Sequence, residues 1–513
     1  MTATRLATTL VVITALAACK HRERPGPRRK ADGRTRTGAG RPASVLDAKF
    51  SFACSPDRST GCEGVFPVRT PAPKRPSEAA IIWGGEDALR LRVRTLERAR
   101  RSIRIQSLIF RGDEAGQLIA DRLKKKKKEG VEVRVIVDAM SNLDWQTQWL
   151  YFDLKRHGVE IEGYEALYLH WVTAEVKPTD PLRPNKRFHE KLWVVDGEDA
   201  EAGVAIVGGM NIANEYFRVA SAPEHRWRDQ DVALRGPVVR DVMATFDRNY
   251  RFFKSLKGRL PALFNPDNSW RLARGKLSQI KKARFPTWNR KANVSAVINM
   301  LGKKVALAWS PVRARFLQSR PRARETYIEQ AYANLIARAR KSVLIANAYF
   351  IPSRTLVREL KKAARRGVRV VILTNSPETN DIHSVAVVSR YTYADLLEVN
   401  QSLKGREGRI EIHEWQGKPF NEGTLHAKFA IFDGRAAIVG SFNLDPRSAR
   451  LNSESAVVLE HPGLIRKLER HVLEQDLPKA RRVTLEQARA FKQPEDIDRR
   501  FKLLFTVPLR QWL

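Results

Sequence analysis

The chain has 513 residues, 93 Lys+Arg against 56 Asp+Glu, and a formal net charge of +37; the length suits two to four domain-sized units and the charge an anionic partner. Three cysteines exclude a disulfide-built scaffold, and 43% hydrophobic against 29% charged residues excludes a disordered polycation. Basicity predicts attraction to nucleic acid or to an anionic membrane surface without choosing between them.

At the N-terminus Arg5 precedes an apolar run, Leu6 to Ala18. The run falls short of the roughly 20 residues that a membrane-spanning helix needs and suits the h-region of an export signal. It ends Leu16-Ala17-Ala18-Cys19, which resembles the bacterial lipobox, where the cysteine is lipidated and heads the mature protein. The expectation is a signal over 1–18, lipidation at Cys19, and a chain exported and anchored at the periplasmic face of a bacterial cell membrane, inner or outer. Cys54 and Cys62 are spaced to close a small disulfide loop in such a compartment; the alternative is two unrelated buried thiols. Lys20 to Val45 holds nine basic and two acidic residues, is rich in Pro and Gly, and reads as a flexible tether within 19–78. No other stretch approaches about 18 uninterrupted apolar residues.

From Ile81 onward helix and strand patterns alternate. Leu89 to Arg101 has helical spacing, Ile103 to Phe110 is a short apolar strand, Gly116 to Lys128 is helical, and Val131 to Asp138 is a β-rich strand, which is α/β order. The order returns with its local sequence: Arg98 to Phe110 (RARRSIRIQSLIF) recurs as Arg338 to Phe350 (RARKSVLIANAYF), and Gly130 to Val135 (GVEVRV) as Gly367 to Ile372 (GVRVVI). Offsets of 240 and 237 residues mean two homologous domains, not a solenoid of short repeats.

The duplication carries chemistry. Phe188 to Gly197 and Leu425 to Gly434 both read H-x-K-x-x-x-x-D-G. Each is followed by an apolar strand and a small-residue turn ending in Asn, Val207-Gly208-Gly209-Met210-Asn211 and Val439-Gly440-Ser441-Phe442-Asn443. Each copy predicts a strand, a turn and a strand, and five extra residues in the first turn predict a longer hairpin. Alternate side chains on a strand share a face, so His189 and Lys191 point one way, as do His426 and Lys428. Two such strands facing each other gather two imidazoles and two ammonium groups, a set suited to phosphodiester chemistry without metal or cofactor. One His attacks phosphorus, the other protonates the leaving oxygen, and the lysines neutralise phosphate oxygens to which Asn211 and Asn443 also donate.

The doubled motif resembles the phospholipase D superfamily. Its wider context, including Asn443 to Glu454 and Asn211 to Phe217, is similar to bacterial cardiolipin synthases, most closely the C type, over roughly residues 80–475. The resemblance implies an α/β fold of two homologous phospholipase D-like domains, each a mixed β-sheet flanked by helices, with a shared active site at their interface. It implies a covalent phosphohistidine whose phosphatidyl group passes to water, as in phospholipase D, or to another lipid's hydroxyl, as in cardiolipin synthase. By it His189 is expected as the nucleophile, His426 as the general acid, and Glu454, 28 residues after His426, as the carboxylate that orients the motif histidine. In the first half Asp229 and Asp231 both qualify for that post. Asp196 and Asp433 complete the catalytic motif, but their place at the hairpin turns favours a part in fixing the hairpin. The halves are read as 79–250 and 321–480, separated by an insert over 251–320 and followed by an extension over 481–513.

The insert carries 17 Lys/Arg and one acid, Asp267, interleaved with aromatic residues that include Phe252, Phe253, Trp270, Trp288 and Trp309. Such a mixture suits a membrane-interface platform and also a nucleic-acid stacking surface. The lipid anchor tips the balance to an anionic phospholipid membrane as partner and a phospholipid as substrate. A nuclease of the same superfamily is the alternative, and no obligate protein partner is inferred. Lys124 to Lys128 reads as a solvated helix end, Tyr391 and Tyr393 as core, and His383 as a solvated loop residue with a pocket-lining role as its alternative.

Overall fold

The computed structural model describes residues 76–138, 141–142, 144–164, 187–219, 225–257, 301–302, 305, 307–321, 325–403 and 408–492. The signal, Cys19, the tether, Cys54 and Cys62, and most of the insert lie outside the described residues. The first half runs β1 (Ser77–Ile82), α1 (Gly85–Arg98), β2 (Ser102–Ser107), α2 (Glu114–Lys128), β3 (Glu132–Asp138), α3 (Trp145–Arg156), β4 (Glu160–Tyr164), β5 (Leu192–Val195), β6 (Val204–Gly208), α4 (Asn214–Phe217), β7 (Trp227–Arg228), β8 (Asp231–Arg235) and α5 (Pro237–Lys257). The second runs β9 (Ser310–Ser319), α6 (Tyr327–Arg338), β10 (Ser342–Asn347), α7 (Arg354–Arg365), β11 (Arg369–Asn375), α8 (His383–Leu397), β12 (Arg409–Trp415), β13 (Thr424–Leu425), β14 (Lys428–Phe432), β15 (Ala436–Gly440), α9 (Pro446–Arg450), β16 (Glu454–Glu460), α10 (Pro462–His471), β17 (Ala480–Arg482) and α11 (Leu485–Ala490).

The repeated Gly-Val signature has a local cause. Gly130 and Gly367 adopt positive φ, 87° and 95°, just beyond α2 and α7. In each, the glycine and valine amides turn back onto helix carbonyls, Val131 N to Lys126 O and Val368 N to Ala363 O, which closes the helix and launches the next strand.

Both halves build a mixed sheet in which two parallel pairs meet an antiparallel hairpin: β2, β3 and β4 are parallel and β2 is antiparallel to β5, while β10, β11 and β12 are parallel and β10 is antiparallel to β14. The halves join edge to edge where β1 pairs antiparallel with β9, Ser77 opposite Val312, into one 15-stranded sheet among the described residues. Strand β9 and the last residues of α5 thus fall inside the span read from the sequence as an insert. Strands alternate between two cores: on β10, Val343 and Ile345 face the helices of their own half, whereas Leu344 and Ala346 enter a core shared with Leu192 and Val194 of β5. That shared core fills the space between the two half-sheets, and α5 and α10 contribute to it. Burial on both faces explains why the strands read as continuous apolar runs.

Candidate active site

The motif residues lie at the rim of this shared layer. His189 and Lys191 precede β5, and His426 lies between β13 and β14 with Lys428 the first residue of β14, so the pairs sit at the entry to the hairpin strands. Each segment pairs across to the other half. His189 N donates to Ser453 O at 2.8 Å and Ser453 N to Arg187 O at 2.7 Å. In mirror fashion β13 lies parallel to β7, Leu425 opposite Arg228, and His426 N donates to Arg228 O at 2.7 Å.

This exchange decides which carboxylate meets which imidazole. Register aligns Asp231 with Gly208 and Ala456 with Gly440, and the residues two places earlier, Asp229 and Glu454, are equivalent. His189 Nδ1 lies 3.0 Å from Glu454 Oε2 and 3.1 Å from Ser441 O, and His426 Nδ1 lies 2.6 Å from Asp229 Oδ2. Glu454 therefore serves the histidine of the first half, not His426 which precedes it in sequence. Asp231 is not a histidine partner: it is buried against the Arg92 guanidinium at 2.6 Å and accepts from Met210 N. Gly209 makes room for Asp229, since a Cβ there would stand 2.4 Å from its carboxylate. The corresponding Ser441 instead donates its hydroxyl to Glu454 at 2.5 Å, and Ser448 donates to the other oxygen at 2.7 Å.

A carbonyl oxygen can only accept, so Ser441 O fixes the proton of neutral His189 on Nδ1 and leaves Nε2 with a free lone pair. Burial holds this imidazole down to about 4, with Lys191 and Lys428 repelling its proton and Glu454 attracting it. His426 is held well below its ordinary value by burial, then by Lys428, Lys191 and His189. Its ring is clamped by Trp227 at 4.5 Å and by the edge of Tyr216 at 5.2 Å. Burial also lowers Lys191 to about 7 and Lys428 to about 8, and each ammonium donates to its own motif histidine's carbonyl. The carboxylates differ: burial pushes Asp229 up to about 7, whereas at Glu454 burial is overcome by His189, Lys191 and the Ser441 hydroxyl, and the carboxyl stays below its ordinary value. Four buried titrating groups beside two carboxylates make a set able to bind a phosphodiester anion and exchange one proton with it.

Other residues singled out in the sequence are placed elsewhere. Asp196 and Asp433 do not meet the imidazoles. Each adopts positive φ at its hairpin turn and accepts from three backbone amides, Arg100 to Ser102 for the first and Arg340 to Ser342 for the second. They lie roughly 20 Å along the strand from the histidines. Asn211 is spent internally, accepting from Ile109 N and donating to the Tyr216 hydroxyl. Asn443 is 3% exposed and its Oδ1 has no hydrogen-bond partner among the described residues. His383 is exposed at the start of α8 and approaches Pro377 O through Nδ1. Tyr393 is core and Tyr391 only partly buried. The lysine run is more than a solvated end, because Lys126 is buried on Ala99 O and Lys124 pairs with Asp121 and Asp153. Phe253 is likewise core, packed on Phe188.

Sequence reasoning missed Ser441 and Ser448 as carboxylate partners, Trp227 and Tyr216 as the clamp on His426, and Glu190. Glu190 is buried between Gln106, Gln318 and Asn249 and raised by burial to about 7, and it ties β2, β9 and α5 together behind the motif. Its signal was the acid at the variable motif position, where the second half has Ala427. Among the described residues no cluster of His, Cys, Asp or Glu is arranged to hold a metal ion.

The family model for the cardiolipin synthase PLD-like domain matches residues 93–247 and 332–476. Cardiolipin synthase C of Escherichia coli (strain K12) is 30% identical over 402 residues, covering 76% of this chain and 82% of that protein. A cardiolipin synthase of Geobacillus kaustophilus is 27% identical over 399 residues, covering 78% of this chain and 66% of that protein. Among solved structures, phosphatidylserine synthase of Haemophilus influenzae shares the fold, with a TM-score of 0.59 at 16% identity over 85% of this chain and 95% of that one.

Proposed function

The chain belongs to the cardiolipin synthase, PLD-like domain family and is an enzyme of the phosphatidyltransferase and phosphodiesterase class, and from that membership we propose that it transfers a phosphatidyl group from a membrane phospholipid through a covalent phosphohistidine. The observation that carries this reading is the pair of crossed dyads, His189 with Glu454 and His426 with Asp229. Nε2 of His189 attacks phosphorus, the N–P bond forms, and the bond to the leaving alcohol breaks as His426 gives that oxygen its proton. In the second step an acceptor hydroxyl gives its proton back to His426, its oxygen bonds phosphorus, and the N–P bond breaks. Lys191 and Lys428 balance the charge on the phosphate oxygens in both steps. An acceptor hydroxyl on a second phospholipid yields a cardiolipin-type product, and water yields phosphatidic acid.

Lipidation at Cys19 and the basic, aromatic insert make an anionic bilayer the partner that fits this chemistry. The test is to offer the purified protein phosphatidylglycerol, phosphatidylethanolamine, and single- and double-stranded DNA side by side. Formation of cardiolipin or phosphatidic acid with intact DNA is the expected outcome. Cut DNA with intact phospholipids would replace the reading by a nuclease.

A further inference from the structure

A second basic site lies at the far end of the first half from the imidazoles. A cavity of about 1040 Å³ opens between the C-terminal end of α1, the β5–β6 turn and the segment leading into β9, and its lining includes Arg98, Arg100, Arg235, Val305, Leu307 and Trp309. Arg235 stacks on the Trp309 indole, its guanidinium carbon 4.0 Å from the ring centroid. Among the described residues none of these three arginines makes an ion pair; Glu78, directly opposite on the neighbouring strand, attracts Arg235, and Arg98 repels it. Four acids line the same cavity: Asp196 holds three backbone amides, Glu129 pairs with Lys126, Glu97 lies 4.0 Å from Arg122, and Glu201 sits in the β5–β6 turn. Three guanidinium groups that make no ion pair among the described residues leave a positive potential that an anion lowers, and stacking keeps one of them aimed while it stays outside any ion pair. The aliphatic and indole surface beside them suits the glycerol and upper acyl region of an amphiphile rather than a bare ion.

We propose that this cavity is a second phospholipid site, distinct from the catalytic pocket, in which Arg98, Arg100 and Arg235 hold the phosphate of an anionic membrane lipid and Trp309 with Leu307 receives its apolar end. The proposal rests on the reading of the substrate as a membrane phospholipid, and gives the basic insert its point of attachment: the C-terminal end of the insert forms one wall. The site docks the enzyme on the bilayer and takes no part in transfer.

The test compares full-length wild type with Arg98→Gln/Arg235→Gln, and with Arg98→Gln alone, an exposed change at a helix end that leaves the sheet untouched. Sedimentation with vesicles of equal parts phosphatidylcholine and phosphatidylglycerol should show the double variant binding about tenfold or more weakly and the single variant intermediate, with no difference on phosphatidylcholine alone. Turnover of a monomeric short-chain phosphatidylglycerol should stay within about twofold of wild type, because the cavity is remote from His189 and His426. Unchanged vesicle affinity in both variants overturns the site. Arginine-dependent binding of inorganic phosphate that displaces the vesicles equally well overturns the lipid as its ligand. Failure of wild type to turn over any phospholipid, with vesicle binding still dependent on the arginines, defeats the transfer reading and leaves the docking site standing.

Discussion

Glu454 and Asp229 are the side chains whose loss tells the two histidines apart. Exchanging a carboxylate that orients a catalytic imidazole for an amide costs about 10²–10⁴ in rate, so Glu454→Gln and Asp229→Asn should both be slow on phospholipids. A p-nitrophenol leaving group needs no proton, so the burst of nitrophenol should return in Asp229→Asn and stay absent in Glu454→Gln if His189 is the nucleophile. The opposite pattern would exchange the roles. The same residues set the pH dependence of kcat/KM, which reports the free enzyme. In the proposed mechanism the nucleophile works as the neutral imidazole, and burial holds His189 at about 4, so activity should fall on the acid side as pH drops through that value. The acid side must keep one proton, which with His426 held well below its ordinary value rests on its partner Asp229, raised by burial to about 7, and the lysines must stay ammonium ions, with Lys191 brought to about 7 and Lys428 to about 8, so activity should fall as pH rises through that window. A profile flat through pH 7–8 would show that neither the His426–Asp229 pair nor the lysines need these protons.

At the scale of single elements, the motif aspartates act on backbone. Asp196 is buried in the left-handed conformation and collects the amides of the α1–β2 connection, and Asp433 repeats this at the α6–β10 connection. Asp196→Ala leaves three amides without their acceptor and should destabilise the fold by about 2–3 kcal/mol, seen as a lower Tm, while the folded enzyme keeps kcat within a few-fold at low temperature. Loss of kcat at unchanged Tm would return Asp196 to the chemistry. The hairpins and the His-Lys pairs were legible in the sequence because each is a local pattern printed twice. The partner of each imidazole was not, because Phe188 and Leu425 pair with strand segments of the opposite half, hundreds of residues away. Asp229 and Asp231 are two residues apart on extended chain and share a face, so only the register against Gly208, with Arg92 claiming Asp231, separates them.

For the whole molecule, a duplicated sequence suggests two units that could unfold apart, and the arrangement of the core argues otherwise. Continuous apolar strands such as Leu192 to Val195 and Ser342 to Ala346 announce burial on both faces, but a sequence does not say what covers the second face. Here it is the other half: Leu192 of β5 and Leu344 of β10, both nearly inaccessible, belong to one hydrophobic layer, and the half-sheets are also stitched through β1 and β9. Neither half can expose its motif histidine's carboxylate partner to solvent without opening the other. Leu192→Ala and Leu344→Ala, in opposite halves, should each cost about 2–5 kcal/mol and each lower the midpoint of a single common transition followed by circular dichroism and by the fluorescence of Trp193 and Trp415, which lie in opposite halves. If the halves were independent, Leu192→Ala would split the melt, lowering the transition of its own half and leaving the other in place. A single shifted melt means that the crossed dyads and the fold are lost together, which makes the active site a property of the paired halves and of neither alone.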